Sequence, residues 1–214
     1  MVSMEDLANF ALLAFSSFLA LINPIGVLPV FISLTANLSE RERFYIASKS
    51  IIVAFFVILL FAITGQFIFR FFGISIHSLR IVGGIIFFMI GMDLMQARLS
   101  KIEIKDGEVK KKYVTDISIT PMAIPILCGP GAITNAIILM EDAVNYQQRA
   151  TLLATVIVVL LLTYLSLISA NRILKFVGDT IKTVLMRLMG LIIMVISVEY
   201  VFAGLIPHLE KIRL

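Results

Sequence analysis

Two short clusters combine helix-breaking residues with polar side chains inside apolar runs: Asn23-Pro24-Ile25-Gly26-Val27, and Gly129-Pro130-Gly131-Ala132-Ile133-Thr134-Asn135. Proline removes a backbone donor and crowds the preceding turn, and glycine loosens the helix. A chain with both at membrane depth opens its hydrogen-bond ladder where no water replaces it. The helical piece that restarts after such a break presents amides without intrahelical partners and the positive end of its dipole. The amides near Gly26 and Val27, and those near Gly131 and Ala132, thereby suit an anionic group such as a carboxylate. Gly26 and Gly131 would let that group approach the backbone. Thr134 and Asn135, one turn further on, and Asn23, ahead of Pro24, add donors and acceptors for a small polar ligand. The plainer reading is a pair of proline kinks that bind nothing, but paired breaks with adjacent polar side chains exceed what a kink requires.

Two carboxylates also fall inside apolar stretches, Asp93 and Glu199. An ionised carboxylate in lipid is costly, so each should face the protein interior or water, which makes both candidates for proton coupling or gating. For Asp93 the competing reading is snorkelling toward the nearby surface beside Arg98. The lone Cys128 reads as a small packing residue next to the second break, and two histidines are too few for a zinc motif. No nucleophile, acid–base partner and metal set converges at membrane depth, so catalysis is not expected, and neither a metal nor a cofactor is implied.

The elements that must position these residues are membrane helices. Hydrophobic residues make up 60% of the 214-residue chain, against about 45–50% in a soluble domain, and the mean hydropathy is +1.04. Apolar stretches of about 20 residues, the length that crosses a bilayer, lie around 9–35, 45–70, 79–97, 117–140, 150–170 and 185–206. The expected fold is all-α and polytopic, with six transmembrane helices of which the first and fourth are broken. The N-terminus has no basic segment ahead of the first apolar run, so a cleaved signal peptide is not expected. Most of the 18 basic residues fall in connections one, three and five, which places those connections in the cytoplasm and both termini outside. The net charge of +4 is thus a topology signal and not a nucleic-acid footprint.

The breaks are related to each other. Pro130 follows Pro24 by 106 positions, and at that interval Gly26 meets Ala132, Arg43 meets Arg149, Gly84 meets Gly190, Gly91 meets Ser197 and Asp93 meets Glu199. Three spans per half is an odd number, so the second half enters the membrane in the opposite direction. One transmembrane domain over 1–214 is expected, made of inverted repeats at 7–97 and 117–206 with a cytoplasmic linker over 98–116. Such repeats place a transporter's site near the midplane between paired discontinuous helices. The small residues Gly83, Gly84, Gly91, Gly190 and Ser197 are expected to allow close helix contact.

The runs Asn23-Pro24-Ile25-Gly26-Val27-Leu28-Pro29 and Gly129-Pro130-Gly131-Ala132-Ile133-Thr134, with six spans at this length, closely resemble the MarC family of integral membrane proteins. The resemblance covers essentially the whole chain. It implies a carrier of small neutral amino acids such as glycine and alanine, driven by an ion gradient, in the cytoplasmic membrane; the residues themselves indicate an inverted-repeat transporter and no more. The partners expected are a small zwitterionic substrate, membrane lipid and a coupling ion, H+ or Na+, with a homo-oligomer left open and no nucleic acid. The substrate would sit at Asn23, Pro24, Gly26, Val27, Gly129, Pro130, Gly131, Ala132, Thr134 and Asn135. Its carboxylate would rest on the helix-start amides and Thr134, and its ammonium toward Asn23, freed carbonyls or Glu199. An exporter of drugs or other small metabolites, and a channel on the same broken helices, are the alternative readings.

Overall fold

The computed structural model describes residues 4–96, 107–176 and 179–210. It is all-helical among those residues: α1 (Met4–Ile22), α2 (Pro24–Leu34), α3 (Glu40–Phe72), α4 (Ile76–Met95), α5 (Gly107–Ile117), a wide-turn segment (Ser118–Leu127), α6 (Pro130–Asp142), α7 (Tyr146–Phe176) and α8 (Asp179–Glu210). Five stretches are long and apolar enough to cross a membrane, α1 and α2 together forming the first, and a bent pair, Lys112–Leu127 with Pro130–Asp142, makes the sixth. With that bent pair counted as one span, the total is the six expected. Residues 98–106 of the expected linker, with Arg98, Lys101 and Lys105, lie outside the described residues, and from Gly107 the chain is already helical.

Local chemistry fixes the helix ends. Ser39 caps α3 in a reciprocal capping box with Glu42, and Gly73 ends the same helix in the left-handed region at φ 62°. Ser75 caps α4 by accepting the Ser78 amide. Arg43 donates from Nε to Thr35 O at 3.1 Å and from Nη2 to Ala36 O at 3.2 Å, holding carbonyls at the end of α2.

In lipid every face of a helix is apolar, so inward faces are marked by size and not by polarity. The buried stripe of α3 runs Ile46, Ala47, Ser50, Ala54, Ile58, Ala62 and Gly65, while Ile52, Phe56, Ile63 and Phe67 stand outward. Helices α4 and α8 form the most extensive pair. A Cβ on Gly84 would meet Ser197 O at 2.7 Å, one on Gly91 would meet Gly190 O at 2.7 Å, and one on Gly204 would meet His77 O at 2.5 Å. The two helices therefore run antiparallel with backbones almost touching, and their small residues are the reason.

The principal contacts come in counterparts between the two halves. α1 packs on α7, and the Ser118–Leu127 segment packs on α3; α2 packs on α7, and α6 packs on α3. Likewise α2 meets α8 as α6 meets α4, and the pairs α3–α7 and α4–α8 are their own counterparts.

Candidate functional site

At the first break Asn23 takes a left-handed conformation, φ 47° and ψ 72°, which asparagine tolerates because its side chain bonds locally. Its side-chain oxygen accepts the Gly26 amide at 3.0 Å. Asn23 N–H donates to Leu19 O at 3.0 Å, and Val27 N–H donates to Asn23 O at 3.0 Å, so the ladder is carried across the proline. The structure departs here from the expectation of free amides near Gly26 and Val27: Asn23 already occupies the position foreseen for a carboxylate. Gly26 is required for the same reason, since a Cβ there would collide with the Asn23 carboxamide. Val27 is buried. Asn23 and Pro24 border a cavity of about 500 Å³ whose far side is Leu162, Leu165, Ser166 and Ser169 of α7.

The second break is built differently. Thr120 (φ −127°, ψ 118°) and Ile124 (φ −124°, ψ 120°) are extended where each precedes a proline, Pro121 and Pro125, because the ring disfavours a helical residue before it. The chain then bends by 59° between Leu127 and Pro130. The Ala123 carbonyl accepts the Cys128 N–H at 2.9 Å, and the buried Cys128 thiol donates to the same oxygen at 2.8 Å. Gly129 stands at the start of α6 without any side-chain cap, followed by Pro130 in the first turn. Gly83 of α4 closes directly on the Pro130 ring, and Gly129 lies against Phe87.

Around this uncapped start is a cavity of about 360 Å³, lined by Gly131, Thr134, Asn135, Glu199, Arg80 and Tyr200, with Leu21 and Ala203 at its edges. Thr134 is 3% exposed, and its hydroxyl has no hydrogen-bond partner among the described residues. Asn135 donates from Nδ2 to Ser17 Oγ of α1 at 2.9 Å. The Tyr200 ring meets Phe87 edge-on, centroids 5.8 Å apart, and its hydroxyl reaches over the helix start so closely that a Cβ on Gly131 would lie 2.5 Å from it.

Of the residues expected at a site, Gly131, Thr134, Asn135 and Glu199 converge on this cavity. Gly129, Pro130 and Ala132 are buried in the framework beneath it. Asn23 and Pro24 border the separate α7-side cavity, so an ammonium held at once by Asn23 and by the second break has no geometric basis. Asp93 sits in the last turn of α4, at the opposite end of the α4–α8 pair from Glu199.

With this geometry in view, the comparisons with known proteins are direct. Residues 8–209 match the model of the MarC family of integral membrane proteins. The chain belongs to the MarC family. It is 36% identical over 201 residues to a UPF0056 membrane protein of Methanocaldococcus jannaschii, covering 94% of this chain and 97% of the relative. To the UPF0056 membrane protein YvbG of Bacillus subtilis it is 37% identical over 199 residues, covering 92% and 94%. A UPF0056 membrane protein of Pyrococcus horikoshii is 33% identical over 202 residues, covering 94% and 96%. No solved structure matches.

Two residues of this MarC-family cavity escaped the sequence reading, Arg80 and Tyr200. Arg80 is one of the few basic residues outside connections one, three and five. Its spacing was the available signal: Arg80 lies four residues before Gly84 and so on the same helix face, the face that meets Ser197 of α8.

A third cavity, of about 830 Å³, opens between α3, α6 and α7. There the Gln66 amide donates to the Glu141 carboxylate, and Arg70 Nη2 donates to Gln66 Oε1 at 3.1 Å. It is separated from the second break by the buried face of α6, on which Ile137 meets Gly65.

Proposed function

We propose that this MarC-family membrane protein is a secondary transporter of small neutral amino acids, coupled to an H+ or Na+ gradient. Its binding site would be the cavity at the second break. The observation that carries the reading is the unpartnered, buried Thr134 hydroxyl beside an uncapped helix start, in one cavity with a cation and a carboxylate. A buried hydroxyl left unpaired costs about 1–3 kcal/mol, which a ligand acceptor reaching Thr134 would offset. The uncapped amides favour an anionic group within the first turn. The volume lies at the lower end of the range of about 300–1,000 Å³ that holds small ligands, and Tyr200 and Leu21 over Gly131 restrict long side chains.

In this reading the two halves are inverted repeats, in support of which stand their counterpart contacts and the symmetric Gly84–Ser197 and Gly91–Gly190 crossings. Alternation would come from one repeat rocking on the other about the α4–α8 pair, and Glu199, in the same cavity as the substrate, is the proposed coupling residue. The cytoplasmic membrane, with both termini outside, is the proposed setting.

The test is uptake of labelled glycine and alanine into proteoliposomes under imposed proton and sodium gradients, beside sugars and hydrophobic drugs. Saturable, gradient-driven alanine uptake is expected. It should fall sharply in Thr134→Ala and Gly131→Leu; unchanged uptake in both would place the site elsewhere. Glu199→Gln should lose gradient-driven accumulation and keep exchange, whereas full accumulation would remove Glu199 from coupling. Electrical recording separates a carrier from a channel, which would conduct far above carrier turnover and show no exchange.

A further inference from the structure

We infer that Arg80 is the specificity-determining residue of this cavity, holding a substrate carboxylate and thereby selecting amino acids over amines and amides of the same size. The inference rests on the transporter reading above and deepens it. Arg80 is contributed by α4, whereas the helix start and Thr134 belong to α6 and Tyr200 to α8, so three elements bring donors to one small space. Those donors are alike in kind: the guanidinium, the uncapped amides of the first turn of α6 and two hydroxyl groups all suit a carboxylate.

An uncompensated cation at membrane depth is costly and is retained where it faces a polar cavity or a counter-charge. The Glu199 carboxyl lines the same cavity as Arg80. A planar guanidinium can hold a carboxylate through two parallel bonds, which an amide cannot reproduce with charge. The Arg80 position is also asymmetric between the repeats, since the interval of 106 sets Met186 against it. One carboxylate site per chain follows, and not two.

The experiment is competition against labelled alanine in proteoliposomes, with unlabelled alanine and alaninamide as competitors, in the wild type, Arg80→Gln and Arg80→Lys. For the wild type, alaninamide should compete at least about tenfold more weakly than alanine, the scale of a lost charge-assisted contact. In Arg80→Gln the gap should shrink to within about twofold, and Arg80→Lys, which keeps the charge and loses the two-bond fork, should keep only part of it. A merely structural role for Arg80 would lower both affinities together and leave their ratio unchanged. An undiminished ratio in Arg80→Gln would overturn the inference while leaving the site in place. Should Arg80→Gln bind neither compound, a missing gap in Arg80→Lys overturns it equally. If the wild type shows no saturable alanine uptake, the transporter reading itself falls, and the inference with it.

Discussion

The two helix breaks begin from the same sequence idea and end as different structures. Both place a proline at the first turn of a restarting helix. At the first, Asn23 folds its own side chain over the Gly26 amide and the chain continues as one span. At the second, glycine stands where asparagine could have capped, two further prolines have already disrupted the approach, and the span bends by 59°. The same interval sets Phe15 and Leu19, inside regular α1, against Pro121 and Pro125. The first break is thus capped by its own asparagine, and the second helix start has no side-chain cap, with the Thr134 hydroxyl beside it unpartnered among the described residues.

That contrast can be broken by substitution, most severely at Gly131. In Gly131→Leu the side chain would enter the space held by the Tyr200 hydroxyl and Leu21, at 2.5 and 2.9 Å from the Cβ position. Alanine uptake should fall to background while the protein stays monodisperse in detergent; near-normal uptake would separate the cavity from transport. Next comes Thr134→Ala, with opposite signs in two measurements. Alanine affinity should fall about tenfold, and thermal stability without substrate should hold or rise by up to about 1 kcal/mol, because a buried unpaired hydroxyl is removed. A destabilised protein with unchanged affinity would make Thr134 structural.

The first break should respond the other way. Asn23→Ala removes the cap on Gly26 and a residue suited to φ 47°, so stability should drop by about 1–2 kcal/mol, read as a lower melting temperature in detergent. Alanine affinity should move by less than about twofold. A large affinity loss with little stability change would return the first break to the binding site. The smallest effect is expected at Ser17→Ala, which removes the Asn135 contact across to α1 and the Ser17 hydroxyl's bond to Ala14 O within α1. About 1 kcal/mol of stability is at stake there, and affinity should change less than in Thr134→Ala.

The spans were legible because length and apolarity suffice to mark a membrane helix. The breaks were legible as Pro–Gly clusters, and so was the packing role of Gly84, Gly91, Gly190 and Ser197, which meet across α4 and α8. What could not be read was how each break resolves. Whether Asn23 caps Gly26 or faces a ligand depends on a side-chain torsion that spacing does not encode, and capping and binding call for the same residue types. Pro121 and Pro125 were plainly present, yet their effect of replacing helix by two extended residues before the break appears only in the backbone. Tyr200 and Arg80 join the site through the antiparallel register of α4 and α8, a tertiary fact.

The central claim is that a small amino acid occupies the second break and not the first, and the two cavities allow one direct measurement. Ala203 lines the cavity at the second break, and Ser166 lines the cavity at the first. The native Cys128 is buried on Ala123 O, so maleimide labelling of Ala203→Cys and Ser166→Cys can be followed with and without saturating alanine in otherwise native protein. Alanine should slow labelling of Ala203→Cys several-fold and leave Ser166→Cys unchanged. Protection of Ser166→Cys alone, or of neither variant in protein that transports alanine, would contradict the account.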